Sequence, residues 1–178
     1  MKIVNLFFLV ILFHCATTVF AQEVKIKDVF DIARSGTVED LIQLEKTNAN
    51  VADEINTMGF NPLILACYKG NNDVALYLMK KTKNINFKSS NGTALAAATV
   101  KGNLTLVHKL LESGAQPDIS DDNGVTPLHY AIQFKNVAMV KLLLSFKADK
   151  YKPDGSGKKP FEYAVFSKNE EIINLLKN

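Results

Sequence analysis

The segment T-P-L-H-Y-A-I-Q-F-K, from Thr126 to Lys135, decides the fold because three related segments recur in the chain. These are N-P-L-I-L-A-C-Y-K-G at 61–70, T-A-L-A-A-A-T-V-K-G at 93–102 and K-P-F-E-Y-A-V-F-S-K at 159–168. The equivalent residues are spaced 32, 33 and 33 positions apart, and they are Leu63, Leu95, Leu128 and Phe161. Self-similarity at a fixed interval indicates a repeat protein, in which each unit packs on its neighbours.

Each repeat is predicted to contain two helices. Pro127 suits the first turn of a helix, where the missing N–H has no intrahelical partner to lose. After a break at Lys135-Asn136, hydrophobic residues resume at a spacing that marks one face of a second helix, and they are Met139, Val140, Leu143 and Leu144. Turn segments such as Asp122-Asn123-Gly124 separate successive pairs, because Gly and Asn accept the backbone conformation of tight hairpins.

This pattern resembles the ankyrin repeat, whose 33-residue period and T-P-L-H-x-A motif it shares. The resemblance covers 28–178 and implies an all-α solenoid of stacked helix-turn-helix pairs with β-hairpin-like fingers. We divide it into an N-terminal capping pair at about 28–53, repeats at about 54–86, 87–119 and 120–152, and a C-terminal capping repeat at 153–178. Lys135 and Lys168 replace the usual glycine, and Glu45 replaces Met79 on what we expect to be an outward face of the cap.

The N-terminus is predicted to be a signal peptide. Lys2 precedes an apolar run from Ile3 to Phe13, and small residues lead to Ala21, which is the order of such a signal. The run is about half the ~20 residues that a membrane-spanning helix needs. We expect cleavage after Ala21, which leaves 22–27 as a short N-terminal extension and places the protein in the periplasm or outside the cell, with no membrane span. An uncleaved membrane anchor and a buried core helix are the alternatives.

Composition limits the partners that the mature chain could bind. Loss of residues 1–21 leaves 178 − 21 = 157 residues and lowers the formal charge from +3 to +2, because the removed segment contains one lysine and no acid. A nearly neutral chain argues against nucleic acid as a partner held by bulk electrostatics. Cys67 becomes the single cysteine, so no intramolecular disulfide is possible, and we expect a monomer stabilised by packing.

Few residues could support catalysis. The resemblance implies that His129, in the T-P-L-H segment, hydrogen-bonds the backbone of the adjoining turn, and His108 falls on the solvent side of an outer helix. Cys67 aligns with small or β-branched residues of the other repeats, which favours a buried apolar role over a reactive thiol. We therefore expect no enzymatic activity, no cofactor and no metal ion. A hydrolase or redox protein that uses Cys67 is the alternative.

Three short motifs are weaker signals. The segment at 118–124 resembles a calcium loop, but its glycine comes one position late and no glutamate closes it. The segment at 155–158 resembles a phosphate-binding loop without the required Ser or Thr. Both are better interpreted as finger turns. Asn91 and Asn103 begin glycosylation sequons, which would matter only in a eukaryotic secretory pathway.

Ankyrin-repeat proteins generally bind through a groove face, which we define as the exposed positions of the inner helices together with the fingers. Carried over to this chain, the inner-helix positions are Tyr68, Lys69, Val100, Lys101, Gln133, Phe134 and Phe166. The finger positions are Met58, Phe60, Asn91, Asp122, Asn123, Val125 and Lys158. Exposed aromatic residues beside charged ones are typical of protein-binding hot spots. The alternative places Phe134 and Phe166 in the core, between neighbouring inner helices.

The sequence therefore predicts a non-enzymatic protein–protein interaction module that acts outside the cytoplasm and binds a partner protein, as yet unidentified, along a groove from Tyr68 to Phe166. A secreted effector that binds a protein of a host or target cell would have the same fold and the same binding surface, and it would differ only in destination.

Overall fold

A computed structural model of the chain describes residues 27–177, so the predicted signal peptide, its cleavage site and most of the extension lie outside the described residues. Within that range the chain forms ten α-helices and no β-strand. The helices form five consecutive pairs: α1 Val29–Ser35 with α2 Val38–Glu45, α3 Pro62–Lys69 with α4 Asn72–Met79, α5 Ala94–Val100 with α6 Leu104–Glu112, α7 Pro127–Gln133 with α8 Val137–Ser145, and α9 Pro160–Ser167 with α10 Glu170–Lys177. The predicted all-α solenoid is confirmed.

The first helix of each pair forms an inner layer and the second forms an outer layer. Helix α3 packs on α1 and α5, and α7 packs on α5 and α9, while the outer helices contact their own neighbours in the same order. The leucines that revealed the repeat lie between stacked inner helices, because Leu63, Leu95 and Leu128 are at most 1% exposed. The hydrophobic core is therefore one continuous stack.

Local signals fix where the inner helices begin. Proline occupies the first turn of α3, α7 and α9. Helix α5 lacks it, but Thr93 caps the helix by accepting a hydrogen bond from the Ala96 N–H at 3.3 Å. A side-chain cap stabilises a helix by about 1 kcal/mol. The departure from the repeat motif at Thr93-Ala94 therefore leaves the helix in place.

Asparagine begins the outer helices at equivalent positions. Asn103, Asn136 and Asn169 each accept a hydrogen bond from a backbone N–H three residues ahead, at 3.0 to 3.1 Å. The equivalent Asn71 donates instead to the carbonyls of Ile32 and Gly36 in the preceding pair, at 3.2 and 2.9 Å. Three of these asparagines therefore cap the N-termini of the outer helices. Asn71 instead connects two neighbouring helix pairs.

The lysines that replace glycine keep the glycine conformation. Lys135 and Lys168 have φ angles of 54° and 56°, in the left-handed region that the equivalent Gly70 and Gly102 also occupy, at 77° and 70°. This conformation costs a residue with a Cβ roughly 1–2 kcal/mol. The helices on both sides of each break are packed into the stack, so tertiary contacts impose the turn against local preference.

Glu45 corrects one expectation about the N-terminal cap. Its carboxylate does not face outward, because it accepts hydrogen bonds from the Tyr77 hydroxyl at 2.7 Å and the Lys81 ammonium at 2.9 Å, which belong to the next pair. Although partial burial opposes the shift, these two donors lower the pKa of Glu45. The residue therefore connects the cap to the first repeat.

The fingers are hairpin-like turns that hydrogen-bond to one another. Asp121 N–H donates to the Val125 carbonyl at 3.0 Å, which closes one turn. Between fingers, Asp122 N–H donates to the Ser90 carbonyl at 3.0 Å, and Gly155 N–H donates to the Asn123 carbonyl at 2.7 Å. The last three fingers are thus joined through their backbones.

Gly124 lies where two of these fingers meet, and this position generates a stability prediction. Its φ is 76°, and an added Cβ would overlap the backbone N of Gly155 and lie 2.9 Å from the Asp154 carbonyl carbon. We expect Gly124→Ala to lower the free energy of unfolding by about 1–2 kcal/mol for backbone strain. Displacement of the neighbouring finger should add about 1–3 kcal/mol.

Urea unfolding followed by circular dichroism measures both effects. Gly157→Ala is the matched control, because Gly157 has a φ of 86° but nothing within 4 Å of an added Cβ. It should show the strain alone. Equal losses in the two variants would contradict the close contact between fingers.

Candidate functional site

The groove face contains a hollow of about 470 Å³ between the first two fingers and the inner helices. Six of the residues predicted from sequence line it: Met58, Phe60, Tyr68, Lys69, Asn91 and Val100. The remaining lining residues are not among those predicted, and they are Arg34, Ile64, Leu65, Ala96, Ala97 and Tyr130. The hollow therefore spans inner helices α1, α3, α5 and α7, and we call it the larger hollow.

Two alanines account for the position of the larger hollow. Ala97 aligns with Leu65 in the preceding repeat and with Tyr130 in the following one. Because α5 lies between α3 and α7, the small side chain leaves an empty volume between two large ones. Ala96 and Ala97 are 1% and 8% exposed, as expected for its floor. The run Ala96-Ala97-Ala98 was the available sequence signal for this feature.

A second hollow of about 330 Å³ lies at the other end of the groove face, and we call it the smaller hollow. Its lining includes three predicted residues, Gln133, Lys158 and Phe166. Five predicted residues line neither hollow: Lys101, Phe134, Asp122, Asn123 and Val125. The predicted residues that line a depression therefore divide between the larger and the smaller hollow, and the groove from Tyr68 to Phe166 stays a prediction.

The three aromatic residues of the groove face are exposed. Tyr68, Phe134 and Phe166 have 53%, 56% and 76% of their surface accessible. The alternative that Phe134 and Phe166 are core residues is therefore wrong. Lysine ammonium groups lie near two of the rings, with Lys69 Nζ 5.8 Å from the Tyr68 centroid and Lys158 Nζ 5.9 Å from that of Phe166.

A hydrogen-bonded aspartate and tyrosine hold the finger of the 120–152 repeat. One Asp121 oxygen accepts from the backbone N–H groups of Asn123 and Val125, both at 2.9 Å, and the other accepts from the Tyr130 hydroxyl at 2.7 Å. Burial, followed by this hydrogen bond, raises the pKa of Tyr130 to about 12. One carboxylate oxygen therefore closes the turn, and the other connects the turn to helix α7.

The next finger repeats the arrangement. The Tyr163 hydroxyl donates to Asp154, whose other oxygen accepts from the backbone N–H groups of Ser156 and Lys158. The hydrogen bond from Tyr163, more than any other contact, lowers the pKa of Asp154. An aspartate followed nine residues later by a tyrosine was the sequence signal for both pairs. Tyr130 and Tyr163 each line a hollow, so these hydrogen bonds fix one wall of each depression.

His129 is buried and participates in packing between repeats. Its Nδ1 accepts a hydrogen bond from the Thr126 N–H at 3.2 Å, which leaves the proton on Nε2, 3.4 Å from the Lys158 carbonyl of the next finger. Burial lowers the pKa of His129, so the neutral ring is favoured. The histidine thus bonds to backbone groups of adjoining turns, as the family resemblance implies.

Cys67 has no access to a substrate. The residue is 1% exposed, and burial raises the pKa of its thiol to about 12. A nucleophilic or redox-active cysteine requires an accessible thiolate. The environment of Cys67 therefore provides neither the ionisation nor the access that the enzymatic alternative needs.

Comparison with known proteins agrees with the fold of stacked helix pairs. The family of ankyrin repeats (3 copies) matches residues 29–121 and 96–178. An ankyrin-repeat protein of fowlpox virus is 32% identical over 112 residues, which cover 62% of this chain and 26% of that protein. A fem-1 homolog A-like protein of Mus musculus is 34% identical over 89 residues, 49% of this chain and 13% of that protein. Alpha-latrotoxin-Lh1a of Latrodectus hasselti is 32% identical over 108 residues, 57% of this chain and 8% of the toxin.

The chain therefore spans less than two thirds of the length of each of these relatives. Among the residues that the structure describes, no helix has both the length and the apolar character needed to cross a bilayer.

Thiol labelling tests the role of Cys67. We expect iodoacetamide to modify Cys67 at least about a hundredfold more slowly in the native protein than in denaturant, because the buried thiol is protonated and inaccessible. Peptide mass spectrometry measures the rate at this residue alone. Ala138→Cys, which places a thiol on an exposed position of α8, is the positive control. Rapid modification of native Cys67 would revive the hydrolase or redox alternative.

Proposed function

The chain belongs to the ankyrin-repeat family, and on that premise we propose that it is a non-enzymatic module that binds a partner protein through its groove face, outside the cytoplasm. Ankyrin repeats are generally protein-protein interaction modules. The observation that carries the proposal is the exposure of Tyr68, Phe134 and Phe166 on one face, beside two hollows. Large exposed aromatic residues are enriched at the energetic centres of protein interfaces.

The fold makes these aromatics unnecessary for stability. More than half of the surface of each of these three side chains is accessible to solvent, so they contribute little to the core. Exposed apolar surface gains free energy when a partner removes it from water, at about 25 cal/mol per Å². Binding of a protein partner to the groove face would therefore be favoured, because it removes the exposed aromatic side chains from water.

The absence of an enzymatic role is supported by how the reactive residues are used. The two groups best suited to catalysis, His129 and Cys67, are 0% and 1% exposed. His129 hydrogen-bonds turns of two adjoining repeats, and the Cys67 thiol is held protonated by burial. A secreted effector that binds a protein of a host or target cell is the second candidate, because it would use the same fold and the same groove face.

Simultaneous replacement of Tyr68, Phe134 and Phe166 by Ser tests the groove face. We expect the triple variant to lose proteins that the wild-type chain retains in affinity capture from periplasm or secretions, because the apolar contact surface is removed. Helical circular dichroism should stay unchanged, since all three side chains are exposed.

A matched control replaces three exposed apolar residues elsewhere, Ile42, Leu104 and Tyr151, by Ser. This control should retain the same proteins as the wild type. Retention of the same partners by the groove variant would show that another surface binds them.

Expression of the full chain in a host with a secretory pathway tests the proposed location. We expect the exported protein to begin at Gln22, because the apolar run from Ile3 to Phe13 (the h-region of the signal) directs export and the bond after Ala21 is then cleaved. Intact-mass measurement determines the first residue. Leu9→Arg interrupts the h-region and should keep the chain inside the cell. A wild-type protein found uncleaved in membranes would instead support the anchor alternative.

A further inference from the structure

We propose that the larger hollow binds one large apolar side chain of the partner protein, and that acidic residues flank this side chain in the partner segment. The inference rests on the proposed function, because it specifies what the groove face recognises. It is carried by three features of the hollow: the alanine floor, the apolar walls and the positive charge beside them.

The floor and walls favour an apolar side chain. Ala97 on α5 lies between Leu65 on α3 and Tyr130 on α7. Val100 and Tyr68 line the same hollow. Tyr130 donates its hydroxyl proton to Asp121, so that proton is not available to an entering side chain. A polar side chain that reaches the floor formed by Ala96 and Ala97 would lose hydrogen bonds to water without replacing them there, whereas an apolar one would gain from burial.

The charge around the hollow favours acidic flanking residues. Among the described residues that line it, none is acidic, and both charged ones, Arg34 and Lys69, are cations. Lys101 extends along the end of α3, because its Cε lies 3.8 Å from where a Cβ on Gly70 would be. Arg34 already pairs with Asp31 at 3.1 Å, but within 27–177 neither Lys69 nor Lys101 forms an ion pair.

The two lysines therefore remain available to a carboxylate. Complementary charge at the edge of an interface steers the partner and excludes segments of like charge. A basic segment would be repelled by Lys69 and Lys101, and the apolar floor gives no base-edge or phosphate recognition. A protein segment with one apolar anchor between carboxylates satisfies both properties of the site.

Selection from a phage-displayed library of random short peptides tests the proposal. We expect the wild-type protein to enrich peptides in which a Leu, Met or Phe is flanked by Asp or Glu. The affinity of an enriched peptide is then measured by fluorescence polarisation against variants of the hollow and of the lysines.

Ala97→Leu fills the hollow with the residue that the fold already accepts at Leu65. It should weaken the enriched peptide by about ten- to a hundredfold, the value of burying one large apolar side chain. Ala138→Leu adds the same volume on the exposed side of α8 and should leave the affinity unchanged. Unfolding midpoints of both variants show whether the fold is kept.

Replacement of both Lys69 and Lys101 by Gln should weaken the peptide about three- to tenfold and reduce its salt dependence. The control replaces Lys80 and Lys109, exposed residues beside an outer-helix depression, by Gln. It removes the same charge and should have no effect.

The outcomes separate the inference from the proposed function. Enriched peptides that are basic, or that lack an apolar residue, would overturn the inference while leaving groove binding intact if the Tyr68, Phe134 and Phe166 triple variant still loses them. Equal affinity for wild type and Ala97→Leu would also overturn it. Peptides that bind the triple variant as tightly as the wild type would overturn the proposed function itself.

Discussion

The stacking of inner helices is the interaction on which the rest of the structure depends. Each helix pair has apolar side chains on both of its flanks, and Leu63, Leu95 and Leu128 lose their contact with water only when the next pair packs against them. A single pair has too little surface to bury, so stability comes from the interfaces between units. The turns, helix caps and fingers position the helices so that these interfaces can form.

This constraint explains where variation can carry function. Positions between stacked helices cannot change without opening a cavity or overpacking the core. Positions that line the hollows differ from one repeat to the next, and these differences shape the groove face. Leu65, Ala97 and Tyr130 occupy equivalent places, and the smallest of them produces the larger hollow. A repetitive scaffold thus obtains a particular binding surface from a few side chains.

The fingers show a related division between support and recognition. Asp121 and Asp154 use their carboxylates to close turns and to hold Tyr130 and Tyr163, while the turns contact each other through their backbones. Polar residues that resembled a metal loop in sequence are therefore structural. Partly buried residues such as Phe60 and Val125 contribute less to the open surface than their finger positions suggested.

The sequence alone determined the period and the helix pairs, because these follow from local helical spacing and from comparison of one repeat with the next. It favoured the burial of Cys67 and the exposure of Tyr68, Phe134 and Phe166, and the structure decided these points. The sequence could not determine how the groove face is shaped. The two hollows, the inward turn of Glu45 and the left-handed backbone of Lys135 and Lys168 depend on side chains and packing contributed by neighbouring units. Those contacts join residues about 30 positions apart, and only the tertiary structure brings them together.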